Sequence, residues 1–162
     1  MDENIIITAH HEAGHALMAH IVGWTINSIV LNVQNGILLC GVTNYNFGGE
    51  EMNNRTNLNR RILCLMGGPI AQAIHQNNNR IDIDTLGQDG ISIDTFLSNL
   101  DSQTKANSIQ ESINSTAIFL QITANKNTRQ LIADRLINNL TISQLEFVEI
   151  VNGCNVSRMD FN

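Results

Sequence analysis

Hydrophobic positions along the chain follow three successive patterns. Residues 5–22 carry apolar side chains at helical spacing, and Gly23 gives that segment a natural stop. Asn4 is the expected N-cap, with Asp2 and Glu3 favourable at the positive end of the helix dipole. The pattern then turns β-like. Ile29, Val30, Leu31 and Val33 lead to Gln34-Asn35-Gly36, and residues 37–43 follow as a second β-rich run. Asn-Gly between two such runs predicts an antiparallel hairpin. Gly41 inside the second strand predicts a bulge or a close backbone contact.

From there the helical period returns. Residues 44–54 are polar, contain Gly48-Gly49 and read as a loop. A helix from about Arg55 has Leu58, Ile62, Leu65 and Met66 as its stripe, with Ile70, Ala73 and Ile74 continuing it. Gly67-Gly68-Pro69 interrupts that stripe and predicts a kink or a restart, because proline lacks an N–H and crowds the preceding turn. Residues 75–90 read as irregular, with loop chemistry in Gly87-Gln88-Asp89-Gly90. Asp94 then opens a helical pattern through Phe96, Leu97 and Leu100, and a long segment over residues 102–125 follows. Asn127 with Gln130, and Thr141 with Gln144, resemble capping boxes starting helices over 128–139 and 142–152. The expected fold is mainly α (α+β): one helical domain over 1–155 with a small antiparallel hairpin, and a short tail over 156–162.

Composition narrows the function classes. The 162 residues suit one domain with a proper core. A net charge of −6, no Lys/Arg cluster and few aromatics exclude a nucleic-acid surface. No apolar run reaches the roughly 18–20 residues of a membrane helix. Asp2 and Glu3 before Ile5-Ile6-Ile7 deny the N-terminus the positive flank of a signal peptide. Cys40, Cys64 and Cys154 are scattered and read as reduced core thiols of a cytosolic chain.

The chemistry-bearing stretch is His11-Glu12-Ala13-Gly14-His15. Residues four apart share a helix face, so His11 and His15 can direct two imidazoles at one Zn²⁺. Glu12, one residue round, suits a general base acting on water at that metal. The bland alternative is a chance match on a solvated helix face. Gly14 costs a helix interior roughly 0.8–1 kcal/mol against Ala, so another backbone is expected close by. His10 and His20 read as surface or supporting groups. A catalytic zinc takes a third protein ligand. The candidates are His20, His75, Glu50, Glu51 and the acids from Asp82 to Asp101.

His11-Glu12-Ala13-Gly14-His15-Ala16 resembles the H-E-A-G-H-A of the FtsH-type ATP-dependent zinc protease domain. Residues 28–31 resemble its first strand, and Gly41-Val42-Thr43 its L-G-V-T element. Leu65-Met66-Gly67-Gly68 with Ile70-Ala71 resembles its G-G-R-x-A-E helix, and residues 132–150 its closing helices. The resemblance implies a zinc metalloendopeptidase with His11, His15 and an aspartate as ligands and Glu12 as base. In that family the aspartate follows a glycine-containing loop at a helix start. Gly90-Ile91-Ser92-Ile93-Asp94 fits, so Asp94 is the implied third ligand. Asp89 is the alternative because the loop length differs, and a helix N-cap is the plain reading of Asp94. Pro69 replaces the family's arginine, and Gln72 and Ala73 its acidic pair. The chain has no Walker A sequence, so the expected substrate is a peptide or unfolded segment, with an AAA ATPase acting in trans as a further expectation. Many zinc peptidases also pair an extended substrate with an edge strand above the motif helix. The contrasting class is a non-proteolytic scaffold that keeps a zinc site.

Overall fold

The computed structural model describes residues 2–46, 55–78 and 86–161. Helix α1 (Glu3–Ile21) leads into β1 (Thr25–Gln34) and β2 (Ile37–Asn46). Then come α2 (Arg55–His75), α3 (Gly87–Phe96), α4 (Ser102–Gln121), α5 (Thr123–Asn139), the short β3 (Thr141–Ser143) and α6 (Gln144–Gly153). The molecule is a mainly helical single domain with a small antiparallel sheet of strand order β2-β1-β3.

The hairpin forms where expected. Asn35 (φ 51°) and Gly36 (φ 79°) supply the two positive φ values of a type I′ turn. The register of β1 and β2 shifts between Ile26 and Ser28. That extra residue lets Ile26, Ile29 and Leu31 all face the core despite their uneven spacing. The third strand was not predicted. Residues 141–143 pair with residues 28–30 of β1, and Ile142 is fully buried.

Several helix boundaries differ from expectation, each for a local reason. Asp2, not Asn4, caps α1: its carboxylate accepts from the Asn4 N–H at 3.0 Å. Helix α2 runs through Pro69 as one element rather than restarting. The long segment over 102–125 ends at Gln121, and Ile122, in extended conformation, starts α5 without a side-chain cap, upstream of the expected Asn127 box. Ser143 and Glu146, not Thr141 and Gln144, form the capping box of α6.

The core is built where α1 crosses α2, with α5 behind them and the sheet on one side. Ala9, Ala13, Ala16, Leu17 and Met18 of α1 meet Ile62, Met66, Ile70 and Ala71 of α2, all buried. Gly14 explains the closeness: a Cβ there would lie 2.1 Å from the Gly67 carbonyl oxygen. The expected backbone approach is therefore that of α2. Residues 156–161 lie against this core, with Ser157 clasped by the buried Asn125 side chain through bonds of 2.9 and 3.2 Å. No described helix is long and apolar enough to cross a membrane.

Candidate metal centre

The α1–α2 crossing gathers the ligating groups. His11 and His15 project from α1 with their Nε2 atoms 3.0 Å apart. The acid that joins them is Asp89 of α3. Its Oδ2 lies 3.3 Å from His11 Nε2 and 3.4 Å from His15 Nε2. A tetrahedral zinc with bonds of about 2.0–2.1 Å spaces its ligand atoms about 3.3–3.4 Å apart; both histidine–Asp89 separations match that, and the imidazole pair is a few tenths of an ångström closer.

The hydrogen bonds behind the rings fix what they present. His15 Nδ1 donates to the Cys64 carbonyl oxygen at 2.7 Å. His11 Nδ1 donates to Gln72 Oε1 at 3.1 Å. With both Nδ1 atoms committed, each ring turns its Nε2 toward the other and toward a carboxylate, a grouping that a proton or a metal ion can hold together. Three such donors at this distance repel unless a cation sits among them. The electrostatics agree. Burial disfavours a charged His15, yet the hydrogen bond and charge of Asp89 outweigh it and raise the ring's pKa. Burial likewise opposes ionisation of Asp89, but hydrogen bonds from both histidines hold its carboxyl well below the usual range. The centre is built to receive positive charge.

Space for an ion is kept by Gly68 of α2. A Cβ there would stand 2.3 Å from His15 Nε2 and 2.6 Å from His11 Nε2. The Gly67-Gly68 pair thus has two tasks: Gly67 admits α1, and Gly68 leaves the cradle between the imidazoles open.

Glu12 is 6% exposed and stands beside this centre. Its Oε2 accepts the Thr43 hydroxyl proton at 2.7 Å. A Cβ on Gly41 would lie 2.6 Å from its Oε1. Strand β2 therefore contributes Gly41 for clearance and Thr43 for aim, which is the close contact expected of Gly41. Beside the histidines a cavity of about 370 Å³ opens, lined by His11, Gln72, Gln76, Gln88 and Asp89 among others.

Asp94 is not part of the cluster. Its side chain is 59% exposed and pairs with Lys105. The reason is where α3 begins. Gly87 (φ 60°) starts the helix with Leu86 as an N-cap that makes no side-chain bond, so Asp89 sits in the first turn and Asp94 near the last. Five residues on, a helix has turned about 140° past its starting face. Neither acid is an N-cap. Glu50, Glu51, Asp82 and Asp84 lie outside the described residues.

The flanking histidines are structural. His10 is buried, not a surface group, and stacks on His75 with ring centroids 3.7 Å apart. Burial, with the charges of His75 and Arg129, lowers its pKa to about 4. His20 Nε2 accepts from Arg158 at 3.2 Å. Sequence reasoning did not assign roles to Thr43, Gly68 or Gln72. The signals were there in the Gly-Val-Thr element, the Gly-Gly pair and the glutamine standing at an acidic position of the resembled family. No family model and no curated protein matches the chain, so its functional reading rests on the residues just described.

Proposed function

We propose that the chain is a zinc-dependent endopeptidase acting on peptides or unfolded segments. The observation that carries this reading is the convergence of His11, His15 and Asp89, whose donor atoms all lie within 4.8 Å of one another, with Glu12 alongside. The H-E-x-x-H spacing and the resemblance to FtsH-type protease domains support it. Their counterpart of the third ligand here is Asp89 in place of Asp94.

Zinc held by these three groups would supply a Lewis acid that polarises a carbonyl and lowers the pKa of water to about 7. The chain's own residues do the rest. Glu12, aimed by the Thr43 hydroxyl, takes a proton from the attacking water and returns it to the leaving nitrogen. Cys64 and Gln72 hold the two rings in the tautomer that leaves Nε2 free for the metal. Strand β2, at the edge of the sheet, carries both Gly41 and Thr43, so an extended peptide paired along it runs past Glu12. An AAA ATPase supplying unfolded segments in trans is compatible with this arrangement.

The test is hydrolysis of a denatured protein by the zinc-loaded chain beside Glu12→Gln. The proposal predicts cleavage by the wild type and loss of about 10²–10⁴-fold in the variant, with zinc content unchanged. Full zinc with no cleavage of any unfolded protein would favour the scaffold reading instead. Cleavage indifferent to Glu12→Gln would overturn the assignment of the base.

A further inference from the structure

We propose that a second cavity, between α2, α4 and α5, binds a small organic oxyanion, a carboxylate or phosphate group, on Arg129 and Lys126. The cavity is about 490 Å³ and is separate from the histidine cluster. Its polar wall comprises Lys126 and Arg129 of α5 and the amides of Asn77, Gln110, Asn114 and Gln121. Its apolar floor includes Ile70 and Ile113, both buried. No acid lines it among the described residues, although the whole chain carries a net charge of −6.

Arg129 makes the case. It is only 4% exposed, and its Nε and Nη1 atoms are buried with no hydrogen-bond partner among the described residues. A guanidinium remains charged throughout the physiological range, and a buried charge is strongly disfavoured until an anion answers it. The helical neighbours that share its face three and four residues on, Ile132 and Ala133, are apolar and offer it no carboxylate. Lys126 lies three residues earlier, on the same face, and is exposed, so the two cations form a gradient from the cavity mouth to its buried end. An oxyanion entering there meets Lys126 as a point charge and, at the inner end, the guanidinium charge of Arg129, a group that suits carboxylate and phosphate. The volume falls in the range of about 300–1,000 Å³ typical of small-molecule sites and exceeds the needs of a bare ion. The amides supply both donors and acceptors for a polar ligand body.

This site is independent of the peptidase reading. Its test is thermal unfolding of the full chain with inorganic phosphate or with succinate, against chloride at matched ionic strength. The expected result is a saturable rise in the wild-type midpoint, with the stronger of the two probes identifying the anion class. Arg129→Gln and Lys126→Gln should each weaken that binding about tenfold or more. His15→Ala should retain it, which separates this cavity from anions bound at the metal centre. If Arg129→Gln does not fold, Lys126→Gln, an exposed change, carries the comparison. No saturable rise with either probe, or an equal rise in the wild type and the Lys126 variant, overturns the proposal.

Discussion

The candidate metal centre and the Arg129 cavity have opposite electrostatic character within one small domain. At the first, two imidazole Nε2 atoms and a carboxylate converge within 3.0–3.4 Å, a donor set that attracts positive charge. At the second, two buried guanidinium nitrogens have no hydrogen-bond partner among the described residues. Both borrow residues from α2, and in both the supporting residues are polar and already oriented. They differ in rigidity. The metal centre stands on a crossing so tight that a single Cβ at Gly14 or Gly68 cannot enter it. The cavity is walled largely by amides and a lysine that reach in from exposed helix faces. The surrounding packing sets how exacting each proposed ligand must be: the first position would suit one ion of fixed geometry, the second a class of anions.

That difference can be attacked directly. Gly68→Ala should do the most harm, lowering zinc affinity about a hundredfold or more, since the added methyl falls between the two ligating nitrogens. Metal analysis after dialysis reads the loss, and normal zinc would show that the cradle is looser than its geometry. Thr43→Val should leave zinc in place but cut hydrolysis about 10–100-fold, because Glu12 loses the 2.7 Å bond that aims it. Gln72→Glu should tighten zinc about tenfold by giving His11 Nδ1 a carboxylate partner in place of an amide, which a competition titration would detect.

The smallest effect lies outside both sites. Burial, then the Arg158 charge, lowers the His20 pKa from 6.5 to about 4. The folded chain therefore binds fewer protons there than the unfolded chain. Its contribution to stability is present above pH 6.5 and is lost as pH falls toward about 4. In metal-free protein, the unfolding midpoint of His20→Gln should fall less steeply over that interval than the wild type's.

Much of this was legible from residue patterns. The hairpin follows from Asn35-Gly36, and the α1–α2 contact from a glycine placed where a helix resists one. His11, Glu12 and His15 came from spacing alone. The acid that joins the two histidines was harder to place because α3 starts with no side-chain cap: Leu86 and Gly87 give no signal like that of Asp101 on α4 or Ser143 on α6. The helix therefore read as beginning at Asp94, and its first turn as loop. Strand β3 is three residues long, too short to show a period. Pro69 looked like a break because its local cost is plain, whereas the buried packing of α2 around it is a tertiary effect. Arg129 gave no warning either. Among Asn127, Gln130 and other polar neighbours it resembles a solvated face, and only the assembled helices bury it.

The central claim is that Asp89 completes the metal centre and Asp94 does not. Zinc affinity of Asp89→Asn measured beside Asp94→Asn tests it most directly. The account predicts a loss of about a hundredfold or more in Asp89→Asn, with Asp94→Asn indistinguishable from the wild type. Undiminished zinc binding in Asp89→Asn, or a matching loss in Asp94→Asn, would contradict it.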